Sequence, residues 1–318
     1  MSTDSASNLP DQSARRGRLW NILSWCLFPV SLVVGIGAAF YALDAGVAPS
    51  VVTGLGTLLS IVLVVIFERI IPYRPEWNES KGDFWTDLLY LPTYLGVNSL
   101  IEPAVRSGAV LVGGMISESF GLGLWPTSWS LFAQFVLACV VVEAFDYWPH
   151  RLLHEIPWLW RFHAIHHNPK RVYWMNATRA HPLETAFRGF VNVIPLALAG
   201  ADESLLALVA LTNALLGMFQ HANIDFRLGV LSWIFSVGEM HRWHHSVKLS
   251  EANHNYGSNF LFWDVVFGTR YRNLDSRGPE VVGIENDWLP QAWWSQLLAP
   301  FRTSKQDETD DGPQSSDD

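Results

Sequence analysis

The chain has 318 residues, 49% of them hydrophobic and only 16% charged, with a mean hydropathy of +0.15. Soluble domains carry about a quarter charged residues, so this composition excludes an ordinary soluble domain and points to a membrane protein. More than half of the net charge of −9 sits in residues 303–318, which hold six acids against one lysine, and the mildly acidic body shows no nucleic-acid footprint.

Residues 1–20 are polar and basic and include Arg15, Arg16 and Arg18. The apolar run Ile22–Leu43 is too long for a cleaved signal and lacks a small-residue cleavage site after it, so it reads as a retained anchor helix. A second run, Val51–Ile71, has the length that spans about 30 Å of hydrocarbon. The third, Leu88–Ile116, is interrupted by Glu102, Pro103 and Arg106 and reads as one kinked helix or a hairpin. Residues 21–130 thus form an N-terminal transmembrane region. The fourth run, Leu131–Phe145, opens a histidine-rich region at 131–272. Within that region, Val191–Phe219 is broken at Gly200-Ala201-Asp202-Glu203 into two short helices, a hairpin or a re-entrant pair. Residues 273–302 read as an amphipathic segment and 303–318 as a disordered acidic tail.

The fold expected is all-α: a multi-pass bundle of about four transmembrane helices plus the re-entrant or hairpin pair, under a histidine-rich helical cap. Sixteen Trp suit membrane–water interfaces, where the indole body is apolar and its N–H meets water. Arg69, Arg74 and Lys81, and the basic stretch from Arg151 to Arg188, place the N-terminus, the histidines and the C-terminus on the cytoplasmic side. Cys26 and Cys139 lie far apart in apolar stretches and suggest neither a disulfide nor a cysteine metal site.

All eleven histidines fall between residues 150 and 254. His150 and His154 form H-x3-H, and at i and i+4 they share a helix face. His163, His166 and His167 form H-x2-HH, and His241, His244 and His245 repeat it. Adjacent histidines in such a triad can serve two neighbouring ions. Eight imidazoles exceed the four ligands of a closed zinc site and suit two ions with open positions. His221, at the end of an apolar helix, is read as a further ligand. His181 is open between ligand and support, and His254 reads as a loop or supporting residue. Asp146, one helical turn before His150, is a candidate to orient an imidazole, and Asp225, four residues past His221, is another. His154-Glu155 lacks the second histidine of a zinc peptidase motif, and no nucleotide loop, serine elbow or Glu-x-x-His pair occurs. Imidazole suits iron, copper, nickel or zinc alike. A membrane metal transporter and a bis-histidine haem cytochrome are the alternatives from other classes.

Asp146-Tyr147-Trp148-Pro149-His150-Arg151-Leu152-Leu153-His154, His163-Ala164-Ile165-His166-His167 and His241-Arg242-Trp243-His244-His245 stand in this order among membrane helices. With His181-Pro182-Leu183-Glu184, Asn255-Tyr256-Gly257, Trp263-Asp264 and Phe267-Gly268-Thr269, they make the region from Val141 to Tyr271 resemble the fatty acid hydroxylase/sterol desaturase superfamily. The resemblance implies an O2-dependent enzyme that uses two iron ions to hydroxylate or desaturate a lipid, with zinc able to replace iron in overexpressed protein. It implies metal ligation by His150, His154, His163, His166, His167, His181, His221, His241, His244 and His245. Asp146, Glu184, Asp225 and His254 are the candidates to support them. Asp225 stands where acyl- and carotenoid-hydroxylase branches usually show a histidine, which tilts the resemblance toward sterol-desaturase-like bacterial members. No flavin, haem or iron–sulfur motif occurs, so electrons are expected from a separate reductase with a b-type cytochrome or ferredoxin.

Overall fold

A chain in hydrocarbon must satisfy its own backbone, and the long apolar runs do so as helices. The computed structural model describes residues 17–120 and 123–302. The expectations for the first sixteen residues and for the acidic tail lie outside the described residues. Long helices form the bundle: α1 (Arg18–Asp44), α2 (Pro49–Ile70), α3 (Phe84–Phe120), α4 (Leu131–Glu155), α6 (Pro182–Ala199) and α7 (Glu203–His221). The cap is built by α5 (Pro157–His167), the short α8 (His241–His244), α9 (Leu249–Ala252) and α10 (Phe262–Phe267), with α11 (Trp293–Leu298) closing it. Among the described residues no strand forms, only isolated bridges such as Pro72 with Ile224.

α1, α2, α3, α4 and α7 are each long and apolar enough to cross a membrane. α6, with 18 residues, is about 27 Å long. Contacts between helix ends fix their directions. The end of α2 meets the end of α7, where Tyr73 N–H donates to Asn223 O at 3.1 Å, and their starts meet where Thr53 Oγ1 reaches Ala207 O at 3.4 Å. The N-terminal half of α1 lies at that same end, since Arg227 N–H donates to Ser24 O. α3 and α6 run together, their far ends touching at Gly113 and Leu198. The starts of α1, α3 and α6 and the ends of α2, α4 and α7 therefore share one end of the bundle.

Two expectations sharpen here. The third apolar region is one continuous helix of 37 residues with Pro92 and Pro103 inside it, so the hairpin alternative does not hold. Neighbouring helices in a membrane protein tolerate such prolines by re-satisfying the freed backbone groups. The fifth region does split in two, with Asp202 capping α7 by accepting Leu205 N–H at 2.7 Å. Its halves diverge, α6 lying along α3 and α4 while α7 lies along α1, α2 and α4.

α7 is the axis of the bundle: 67% of its apolar window is buried, against 17% for α1 and α2. Lipid tails are as apolar as leucine, so close packing rather than water exclusion holds these helices. Gly113 shows it: a Cβ there would lie 2.2 Å from Leu198 O, so only glycine lets α3 and α6 approach this closely. At the cap end, α11 docks on the start of α3, where Tyr90 Oη donates to Gln296 Oε1 at 3.0 Å.

Candidate metal centre

Four segments converge at the cap end. α4 runs ten residues beyond Phe145, so His150 and His154 sit on its last turns. α5 carries His163, His166 and His167, α7 ends on His221, and α8 supplies His241 and His244 with His245 directly after. These imidazoles gather in two groups, each with its ligand atoms within 4.8 Å of one another: His150, His154, His163, His167 and His244; and His166, His221, His241 and His245. Adjacent histidines part between the groups, His166 from His167 and His244 from His245. The groups abut, with the His167 and His245 rings stacked at 4.4 Å.

Ring hydrogen bonds reveal what the groups can hold. His150 Nδ1 lies 2.6 Å from Tyr256 O, His163 Nδ1 2.7 Å from Glu184 Oε1, and His244 Nδ1 2.8 Å from His254 O. His166 and His221 likewise place Nδ1 3.1 Å from Arg179 O and Gly217 O. Each Nδ1 that faces a carbonyl therefore carries the proton and donates it, which leaves the Nε2 of His150, His166, His221 and His244 a bare lone pair. Yet Nε2 of His150 lies 3.1 Å from Nε2 of both His163 and His244, and Nε2 of His166 lies 3.1 Å from that of His221. Protonation does not relieve this opposition. Burial and the neighbouring imidazoles hold His163, His166, His167, His241 and His245 well below the usual histidine range, and burial holds His244 down to about 4. A cation does relieve it. Two nitrogens ~2.1 Å from one ion at right angles lie about 3.0 Å apart, close to the spacing found. Neutral, buried imidazoles with converging lone pairs thus fit a first-row metal ion in each group.

The carboxylates and the two remaining histidines take other places. Glu184 Oε1 faces His163 Nδ1 across 2.7 Å. Asp146 meets no imidazole; it pairs with Arg188 at 2.7 Å and with Ser258 Oγ. Asp225 also leaves His221 alone: it accepts Trp20 Nε1 at 2.7 Å and pairs with Arg277, clamping α1 to the cap. His181 lies outside both groups and caps α6. Its Nδ1 accepts Leu183 N–H at 3.1 Å and its Nε2 faces Leu297 O at 3.2 Å, so both nitrogens are engaged. His254 contributes its main-chain carbonyl to His244, while its ring packs on Tyr271.

Other residues position the rings, a role that the sequence assigned to none of them. Asn253 Oδ1 lies 3.3 Å from His154 Nδ1. The Tyr256 carbonyl is aimed by Asp264, which accepts the N–H groups of Tyr256 and Gly257 at 2.8 Å each. Arg179, fully buried, orients His166 through its carbonyl and pairs through its guanidinium with Asp87 at the start of α3. Tyr173 Oη donates to the same Asp87 at 2.5 Å. Removing one partner of a buried ion pair costs ~3–5 kcal/mol. Asp87→Ala is therefore expected to lower the thermal unfolding midpoint and the metal content together; an unchanged midpoint would contradict the pairing.

A cavity of about 160 Å³ opens between α3, α4, α6 and α7, bounded at the cap end by His150, His166, His221 and His241. Both groups reach it, so a small part of a substrate seated there meets both.

The fatty acid hydroxylase family model matches residues 135–269, which contain every grouped histidine. An ornithine lipid hydroxylase of Rhizobium tropici is 33% identical over 288 residues, covering 89% of this chain and 86% of that protein. A methylsterol monooxygenase of Arabidopsis thaliana is 29% identical over 162 residues, 49% of this chain and 59% of its own length. A very-long-chain aldehyde decarbonylase of Oryza sativa is 31% identical over 151 residues, 46% of this chain and 56% of its own. No solved structure matches significantly.

Proposed function

Because the chain belongs to the fatty acid hydroxylase family, we propose that it is a membrane oxidoreductase that uses O2 and a pair of iron ions to hydroxylate or desaturate a C–H bond of a lipid. The observation that carries this reading is the pair of abutting imidazole groups, five rings and four, whose lone pairs converge beside one cavity. The likeness to an ornithine lipid hydroxylase along most of the chain supports a membrane lipid as substrate and hydroxylation as outcome. A haem protein needs only one or two axial histidines, and a transporter needs ligands along a path through the midplane. Neither accounts for nine imidazoles at one end of the bundle.

His150, His154, His163, His167 and His244 would hold one ion, and His166, His221, His241 and His245 the other. Bound there, the iron pair supplies dioxygen activation with electrons from an external donor. The protein's own groups set the stage. The carbonyls of Tyr256, Arg179, Gly217 and His254, together with Glu184, fix the ring tautomers and directions. Burial excludes bulk water from the ligand cluster, and the cavity presents one part of the lipid to it. The protein in lipid nanodiscs, supplied with O2 and a reducing system of reductase plus a b-type cytochrome or ferredoxin, is expected to yield a lipid that has gained one oxygen or lost two hydrogens. Metal-loaded, fully reduced protein that leaves every tested lipid class unchanged would overturn the reading.

The basic flanks support a topology in which the cap and both ends of the chain face the cytoplasm, where such donors reside. Cysteines introduced near Asn168 and Ser304 are then expected to react with an impermeant reagent from the same side. Labelling of the two sites from opposite faces would break the topology.

A further inference from the structure

The two sides of the centre differ. The cavity is lined by His150 of the five-ring group and by His166, His221 and His241 of the four-ring group. His154, His163, His167 and His244 do not line it. Of the nine grouped imidazoles eight are buried, and His154 alone is half-buried, its Nδ1 towards Asn253 just after α9. Trp160, itself half-buried, covers that ring. On α5 it precedes His163 by three residues and His167 by seven, so all three share a helix face. Its ring centroid lies 5.1 Å from that of His154, 5.3 Å from His167 and 6.1 Å from His163. Packing against the apolar cluster of Tyr90, Ile165 and Leu289 holds it there. The five-ring group thus comes nearest the outside at His154, under a fixed aromatic ring that packs on three of its imidazoles.

Electron transfer slows steeply as the gap between donor and acceptor widens, so a carrier must dock where the centre lies closest to the surface. Redox encounters bury little surface, and a small face is enough. We propose that electrons enter the centre through Trp160, from a one-electron carrier protein that docks over Trp160, His154 and Asn253. The inference rests on the lipid-oxidoreductase reading and deepens it by naming where its reductant acts. Each encounter takes one electron from the reduced carrier, leaves it oxidised, and turns one ferric ion held by the imidazoles ferrous. Two encounters supply the two electrons that the reaction draws from outside. The Trp160 ring conducts through its contacts and is itself unchanged, so another aromatic ring can stand in its place. The cavity stays clear, and lipid and carrier do not compete for one entrance.

The test uses the full-length, iron-loaded protein in nanodiscs, oxidised and kept free of O2. A pre-reduced iron–sulfur ferredoxin or soluble b-type cytochrome is mixed in, and the carrier's own absorption band reports its oxidation. Trp160→Leu is expected to slow that oxidation at least ~10-fold, while iron content and the rate of reduction by dithionite stay at wild-type values. Dithionite is small and needs no docking face. Trp160→Tyr is expected to keep the wild-type rate. Trp158→Leu is the control and is expected to change nothing, because Trp158 is 61% exposed on the same helix but packs on Phe162. If Trp160→Leu loses its iron, Ser250→Cys on α9 takes its place, since Ser250 is exposed beside Asn253. Its labelling with a polyethylene glycol maleimide is expected to block the carrier and spare dithionite, whereas wild type treated alike keeps its rate. Carrier oxidation that is unchanged in Trp160→Leu or under the label would overturn the assignment. So would an equal slowing in Trp160→Tyr or Trp158→Leu, a parallel slowing of dithionite reduction, or a wild type that oxidises neither carrier. If O2-dependent lipid products still form in those cases, only the entry route falls. Their absence from the metal-loaded, fully reduced wild type would fell the function itself.

Discussion

Replacing His244 or His245 by alanine is expected to strip metal from different halves of one centre. The two residues are neighbours in sequence, yet His244 belongs to the five-ring group and His245 to the four-ring group. Wild-type protein is expected to hold close to two ions per chain, and each variant close to one. Zinc is expected to occupy the same sites in material made without iron, because imidazole accepts both. Activity is expected to fall at least ~100-fold in both variants, since disturbing even residues that merely orient ligands costs 10–100-fold. His254→Ala is the internal control. Only its main-chain carbonyl serves His244, so metal content should hold and activity change little. Elemental analysis of the purified proteins reads all of this directly. A wild type with one ion or fewer after metal supplementation, or a His244→Ala protein with both, would contradict the assignment.

A dependence of comparable size is expected on the electron donor. The chain contains no flavin, haem or iron–sulfur motif, while C–H oxidation by O2 consumes two electrons beyond those taken from the substrate when an alcohol or alkene and water form. Chemically reduced protein mixed with lipid and O2 is therefore expected to give at most one product per chain. A reductase with its small carrier is expected to restore continuous turnover. Many turnovers from protein and O2 alone would show that the reductant is not external.

The bundle was readable because bilayer thickness sets helix length, so Val51–Ile71 announces a span by its length alone. The course of α3 was not, because Pro103 and the charges beside it read equally as a break, and only packing against α6 decides. Spacing within Pro157–His167 implied that His166 and His167 point apart, a property of helical geometry. Carboxylate partners were another matter. Asp146 and His150 share a face of α4, yet Asp146 turns to Arg188 on α6, and His150 to a carbonyl 106 residues away. Sequence spacing constrains neighbours on one helix and is silent about backbone carbonyls brought in by a distant loop. The one local signal for that loop was Asn255-Tyr256-Gly257 with Asp264. A Cβ at Gly257 would lie 2.2 Å from Phe260 O, so the turn that presents the Tyr256 carbonyl has room for glycine alone. His181, open in the sequence between ligand and support, lies outside both groups and caps α6, because only the folded chain brings Leu183 N–H onto its Nδ1.

The origin of the oxygen in the product tests the central claim most directly. Turnover under isotopically labelled O2 in unlabelled water, with the reducing system present, is expected to place one labelled atom in a hydroxylated lipid, or to consume labelled O2 while an alkene forms. Oxygen arriving from water, with no O2 consumed, would show a metal-dependent hydrolase or hydratase and contradict the account even with both ions in place.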